Sequence, residues 1–458
     1  MSMSSQDVLY DGVLRDAARL ASQYLASLER ERVFPSPDAL AQLADLDGGL
    51  PQHPTPAAEV LHLLDRAGSP ATVRSAGGRY FGYVIGGALP AALAASWLAS
   101  AWDQNAFAVS TSPVAAALEQ IAMGWLLELL RLPRGCGVGF VTGATMANFA
   151  ALAAARHATL AGLGWNVEDE GLIGAPPITV IVGDEVHVSV LKALSMLGLG
   201  RRCVIRVPVD AQGRMIAAAM PPLTNSTIIC AQSGNVSTGA FDPVGEIAAR
   251  AHGAGAWVHV DGAFGLWATA VPSLAHLTSG LADADSWATD AHKWLNVPYD
   301  SGLVFVRDPA HLHAAMALNA AYFSMGDQRE PGHFTPDASR RARGVEVWAA
   351  IRSLGTRGII DLIERTCGYA RRFAERLSGA GFEVHNEVVL NQVMVSFGSA
   401  DRSRRVIAAI QDDGTCWCGG TEWQGRTAMR ISVSSWATTP DDVERSADAI
   451  IRIANATS

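Results

Sequence analysis

The sequence predicts an α/β protein with a mostly parallel central sheet and a smaller α+β C-terminal domain. First, between residues 60 and 310 short apolar runs alternate with helical stretches, at 137–141, 178–182, 203–207, 226–231, 256–260, 286–288 and 303–306. Strands separated by helices pair in parallel, because the chain must cross over a face of the sheet between them. Second, the pattern changes beyond residue 340: helical spacing at 340–354 and 358–377 gives way to strands at 382–384, 392–395 and 429–433, then a closing helix at 441–454. Third, the polar motifs fall at the carboxyl ends of the predicted strands, where open α/β sheets bind ligands.

The 458 residues suffice for two or three domains. A helix is predicted over 7–30, ended by Pro35-Ser36-Pro37, with a second break from Pro51 to Pro56. The expected division is 1–60 as a helical segment packing on a partner subunit, 61–310 as the large domain, and 311–458 as a loop and the small domain. Hydrophobic residues at 49% and charged residues at 17% indicate a globular chain. A net charge of −9 with no basic run gives no support for a nucleic-acid partner, and none is expected. The apolar run 88–102, broken by Pro90, is too short to span a membrane and suits a buried helix. The polar N-terminus shows no signal peptide. The six cysteines, with Cys416 and Cys418 the only close pair, lack zinc-site spacing, so no metal is expected and a cytoplasmic location is.

Four constellations carry chemistry. Thr142-Gly143-Ala144-Thr145-Met146-Ala147-Asn148 joins the first strand to an Ala-rich helix, whose N-terminal N–H groups suit a phosphate. The plainer reading is a capped turn, with Thr145 or Asn148 as capper. Asp184-Glu185-Val186-His187 follows the second strand; His187 can stack on a flat ring, act as acid or base, or cap a helix. His259-Val260-Asp261 ends the 256–260 strand, and a carboxylate in so apolar a run needs a cationic partner. Thr289-Asp290-Ala291-His292-Lys293-Trp294 places a lysine just before a core strand. Its ordinary fate is a buried stem with the ammonium in water.

Together the four fit one ligand. A helix N-terminus for a phosphate, a histidine for a ring, an aspartate for a pyridine nitrogen and a lysine for an imine describe pyridoxal 5'-phosphate.

On these motifs, with Tyr80-Phe81-Gly82-Tyr83, Ser112-Pro113 before Glu119, Gly239-Ala240-Phe241-Asp242-Pro243 and Arg340-Arg341-Ala342-Arg343, the chain from Tyr80 to Ala437 resembles the group II pyridoxal-phosphate amino-acid decarboxylases. The resemblance implies fold type I, the aspartate aminotransferase-like architecture, in a homodimer with shared active sites. It further implies Lys293 as the imine-forming residue, Asp261 on the pyridine nitrogen and His187 over the ring. Ala144, Thr145 and His292 would lie at the phosphate, with Ala263 against the ring and Asp290 completing the cofactor set. Tyr83, Gly86, Asn105 and Phe107 would line the substrate pocket, often from the neighbouring subunit, and Arg430 would meet a substrate carboxylate.

The chain departs from the family at two places. Gln232 replaces a threonine near the cofactor's phenolic oxygen and carries both donor and acceptor. The loop 324–337, which in decarboxylases supplies a proton-donating tyrosine, has none; Tyr322 just before it and His333 within it are the candidate donors, His333 having the better unperturbed pKa. The expected reaction is α-decarboxylation of an L-amino acid. The alternatives are another Cα reaction (aldol-type cleavage, aldehyde-forming oxidation or transamination) and, from a different class, a non-enzymatic cofactor-binding protein.

Overall fold

The computed structural model of the chain describes residues 5–318 and 329–457. The helices α1 (Ser5–Ser27), α2 (Pro37–Ala41) and α3 (Ala57–Gly68) open it, followed by α4 (Pro90–Trp102) and α5 (Pro113–Leu129). Strands and helices then alternate: β1 (Gly137–Val141), α6 (Ala144–Gly162), α7 (Val167–Glu170), β2 (Thr179–Gly183), α8 (Val188–Met196), β3 (Ile205–Val207), β4 (Thr227–Gln232), α9 (Val244–Gly253), β5 (Trp257–Asp261), β6 (Ser286–Asp290) and β7 (Gly302–Val306). All seven strands correspond to the apolar runs of the sequence, with ends shifted by a residue or two.

They form one sheet in the order β1-β7-β6-β5-β4-β2-β3. Only β7 runs antiparallel to its neighbours. Helix α6 covers one face with Val180, Val182, Ile228 and Val304, while α9 and the helices around it cover the other. Because the remaining strands share a direction, the turns carrying Ala144, His187, Gln232, Asp261 and Asp290 open on one edge. The reversed β7 enters at that same edge, so closely that a Cβ on Gly302 would lie 2.4 Å from the Cα of Gly143. Only glycine fits there.

After α10 (Pro309–Met316), the kinked α11 (Arg343–Gly379) joins the two helices expected at 340–354 and 358–377, bending at Gly355 (φ 60°). Its Val347, Ile351 and Ile363 pack on the large core, whereas Phe373 and Leu377 pack on the small one. The small sheet, β10-β11-β9-β8, comprises β8 (Glu383–Val384), β9 (Gln392–Ser396), β10 (Gly419–Trp423) and β11 (Arg426–Ser432), backed by α12 (Ala400–Asp413) and α13 (Pro440–Ala456). Strand β10 was not anticipated: Gly-Gly-Thr-Glu-Trp lies at a sheet edge and has no apolar alternation to reveal it.

One expectation is corrected. The run 88–102 does form a helix, α4, but not a buried one. Ala92 and Ser96 are its covered residues, while Trp97, Leu98 and Trp102 are 46%, 56% and 40% exposed. A helix apolar all round needs cover on every side, and a single chain covers one side of this one. No helix among the described residues is long and apolar enough to cross a membrane.

Candidate active site

Lys293 follows β6, and its Nζ lies 3.1 Å from Oδ2 of the buried Asp290. The other carboxylate oxygen of Asp290 accepts the Ala144 N–H at 2.5 Å, at the first residue of α6. Asp290 thus joins the lysine to a helix N-terminus, where the peptide dipoles favour negative charge. The loop turns back at His292, whose Nδ1 accepts the Ser301 N–H at 3.1 Å and whose ring packs 4.3 Å from that of Tyr299. Burial lowers the pKa of His292, with the Asp290 carboxylate opposing. Gly86 lies under this loop, since a Cβ there would meet the Lys293 carbonyl oxygen at 1.9 Å.

One strand away, β5 ends in Asp261, which is 4% exposed. Its Oδ1 accepts the Ala263 N–H at 3.2 Å; its Oδ2 accepts from the Asn148 amide at 3.2 Å and the Ser189 hydroxyl at 3.4 Å. All three donors are neutral. Among the described residues no lysine or arginine pairs with this carboxylate, and Lys293 is engaged by Asp290. A buried carboxylate without a cation is costly, so the cradle suits a ligand that brings a protonated nitrogen.

His187 is the N-cap of α8: its Nδ1 accepts the Ser189 N–H at 3.3 Å and lies 2.8 Å from the Ser189 hydroxyl. Capping and a role at the site are therefore compatible. Burial lowers its pKa, Asp261 raises it, and Lys293 and Arg430 lower it further, which places His187 among those charges. The Gln232 amide donates to the Glu185 carbonyl at 2.9 Å and so tethers the turn that presents His187. Ala263 receives the Asp290 N–H at 2.9 Å, tying the ends of β5 and β6 together.

The second wall comes from the small domain. Arg430 on β11 forms no side-chain hydrogen bond or ion pair with any described residue; burial lowers its pKa, and Tyr83 opposes. Tyr83 stacks on Trp417 at 6.0 Å, and Trp417 stacks on Tyr80 at 5.1 Å. Gly82 permits this packing, because a Cβ there would lie 2.0 Å from the indole.

The structure therefore brings Ala144, Thr145, His187, Gln232, Asp261, Ala263, Asp290, His292, Lys293, Tyr83, Gly86 and Arg430 to one edge. It does not bring Asn105, Phe107 and His333 there within one chain. Asn105 Oδ1 accepts the Arg340 N–H at 3.2 Å. Phe107 packs on Gly332 and lies 6.1 Å from the ring of His333. His333 neighbours His313 at 5.3 Å, and the charges acting on it include His313 and Glu330. Tyr322 lies outside the described residues. Neither Thr145 nor Asn148 caps α6, whose N-cap is Gly143; Asn148 instead reaches Asp261, and contacts across the fold, not sequence, bring in Ser189, Tyr299 and Trp417.

The pyridoxal-dependent decarboxylase conserved domain matches residues 37–398. Tryptophan decarboxylase 1 of Oryza sativa subsp. japonica is 26% identical over 461 residues, spanning 92% of this chain and 89% of that protein. The acidic amino acid decarboxylase GADL1 of Bos taurus is 28% identical over 362 residues, spanning 74% of this chain and 67% of that one. In fold, the crystal structure of Oryza sativa TDC with PLP and tryptamine superposes with a TM-score of 0.90 at 24% identity, over 100% of this chain and 99% of the other.

Proposed function

The chain belongs to the pyridoxal-dependent decarboxylase family, and we propose how its residues divide the α-decarboxylation of an L-amino acid. It is a carbon–carbon lyase that uses pyridoxal 5'-phosphate, and its family favours decarboxylation over the other Cα reactions. When bound, the cofactor supplies a protonated pyridine ring that draws off the electron pair left by a departing carboxylate.

In this reading Lys293 supplies the amine that holds the cofactor, and Asp290 keeps that amine at the edge of the sheet. Asp261 would meet the ring nitrogen and keep it protonated. With the Ala144 N–H taken by Asp290, the phosphate would lie beside Ala144 on the Thr145 N–H of the first turn of α6, with His292 next to it, as helix N-termini hold anions. His187 would stack on the ring, with Gln232 fixing the turn that carries it, and Arg430 would meet a carboxylate of the substrate, with Tyr83 and Gly86 closing the pocket. The observation that carries the reading is the buried Asp261 carboxylate with neutral donors only, one strand from the Lys293–Asp290 pair. The test is a screen of L-amino acids with the purified chain and cofactor. An amine and CO₂ are expected, with no product from Lys293→Ala; an aldehyde, ammonia or keto acid in place of the amine would overturn the reading.

The enzyme is also read as a homodimer. Trp97, Leu98 and Trp102 on α4 and Val114 and Ile121 on α5 present a largely apolar face, which a second copy would cover. Asn105, Phe107 and His333, clustered apart from Lys293 in one chain, would then serve the partner's site. Sedimentation equilibrium at twice the chain mass is expected; a monomer at micromolar concentration would sink this part. A cytoplasmic location fits six free cysteines, and cell fractionation tests it.

A further inference from the structure

Strand β5 has a period-two pleat, so His259 and Asp261 face the same side of the sheet, the side covered by α6. That side is lined by alanine and valine, yet it contains three fully buried polar residues: Asn148, His259 and Ser286. They form an unbroken line. Trp257 Nε1 lies 2.9 Å from Ser286 Oγ, Ser286 Oγ 3.0 Å from His259 Nδ1, His259 Nε2 2.9 Å from Asn148 Oδ1, and Asn148 Nδ2 3.2 Å from Asp261 Oδ2.

The direction of each bond follows from what each group can do. The indole N–H can only donate, so Ser286 Oγ accepts there. Asn148 gives its N–H to Asp261 and so turns Oδ1 to His259, which carries its proton on Nε2 and donates to it; Nδ1 is left to accept the Ser286 hydroxyl proton. Burial keeps the imidazole neutral, with its pKa pushed down to about 4. Asn148 is thereby held with its amide nitrogen toward Asp261 and Ser189 Oγ, the latter at 3.2 Å. The flipped amide would set an oxygen against a carboxylate and leave the His259 donor without an acceptor.

We propose that His259 is a positioning residue which, through Asn148, fixes the Asp261 carboxylate against the ring nitrogen of the cofactor. The proposal rests on the reading that Asp261 faces that nitrogen. Ser286 matches that tautomer at Nδ1, and Trp257 holds Ser286 in place. The role resembles that of the outer partners that orient metal ligands, with a carboxylate in place of the metal-bound group.

The test uses the full chain, freed of cofactor and titrated with pyridoxal 5'-phosphate labelled with ¹⁵N in the ring. Two quantities are measured: the dissociation constant, and the ring-nitrogen NMR signal across pH. His259→Leu is expected to bind about tenfold more weakly, as for loss of one buried hydrogen bond, and its ring nitrogen to lose the proton at lower pH than in the wild type. His259→Gln, whose Nε2 can still donate to Asn148, is expected to stay within about threefold of the wild type with its ring signal restored. A folded His259→Leu protein with wild-type affinity and ring signal overturns the proposal. Should that variant not fold, Ser286→Ala is measured in the same way, and an unchanged affinity and signal there overturns it equally. Asp261→Asn separates the two ideas. An unchanged ring signal in that variant removes the underlying reading of Asp261, whereas a changed one beside an unaffected His259→Leu removes only the relay.

Discussion

The amine of Lys293 lies 3.1 Å from a carboxylate oxygen of Asp290, which is itself anchored through its other oxygen to the first N–H of α6. A lysine that sequence alone would leave with its ammonium in water is thus held at the mouth of a helix, one strand from Asp261, a carboxylate that no described lysine or arginine pairs with.

Lys293→Ala should lower decarboxylation by on the order of 10³-fold or more, since among the described residues no other lysine stands at this edge. Borohydride reduction of the wild-type holoprotein should abolish its visible absorbance and leave the label on the peptide containing Lys293. Label on another lysine would contradict the assignment.

Asp290→Ala leaves the Ala144 N–H and the Lys293 amine without their acceptor. The cofactor-free protein should lose about 1–3 kcal/mol of unfolding free energy, as for an unsatisfied buried group. Urea denaturation measures this, and an unchanged midpoint would show that the carboxylate carries no structural duty.

Arg430→Gln removes a guanidinium that no described residue satisfies. KM for the amino acid should rise about 10- to 100-fold, the range of a charge-assisted hydrogen bond, while the affinity for the cofactor changes little. A loss confined to cofactor affinity would place Arg430 elsewhere in the chemistry.

Stability should depend on pH through His259. Its pKa is about 4 in the folded chain against an ordinary 6.5, so the unfolded state binds the extra proton and stability falls as pH drops from 6.5 toward 4. The full effect is about 3 kcal/mol. Asp242, raised to about 6 by burial, has the opposite slope, because its folded form takes up the proton first. The unfolding free energy of the wild type minus that of His259→Gln cancels the Asp242 contribution and should shrink as the solution is acidified. A difference independent of pH would mean that the histidine is not buried neutral.

Gly82→Ala places a Cβ 2.0 Å from the Trp417 ring. Overpacking should cost about 1–3 kcal/mol and disturb the stack with Tyr83, which tryptophan fluorescence would report. An unshifted spectrum and melting temperature would show that the stack is not rigid.

The sequence by itself determined the alternation of strands and helices and the motifs at the strand ends. Both are local: an apolar run flanked by turns shows its period within a few residues, and a lysine between a histidine and a tryptophan needs no distant partner to be noticed. The tertiary structure decided what those motifs touch. Asn148 reaches Asp261 and His259 across more than a hundred residues because α6 lies on that face of β5. Trp417 meets Tyr80 because the stretch around Phe81 bridges to Trp417 beside the small sheet and packs into its core. Neither contact has a period or spacing in the chain, since hydrogen bonds and stacking depend on the few ångströms between groups and not on the residues that separate them. The solvent-facing side of α4 was illegible for a related reason: hydrophobicity records that a surface must be covered, and the packing of the chain decides whether the chain itself covers it.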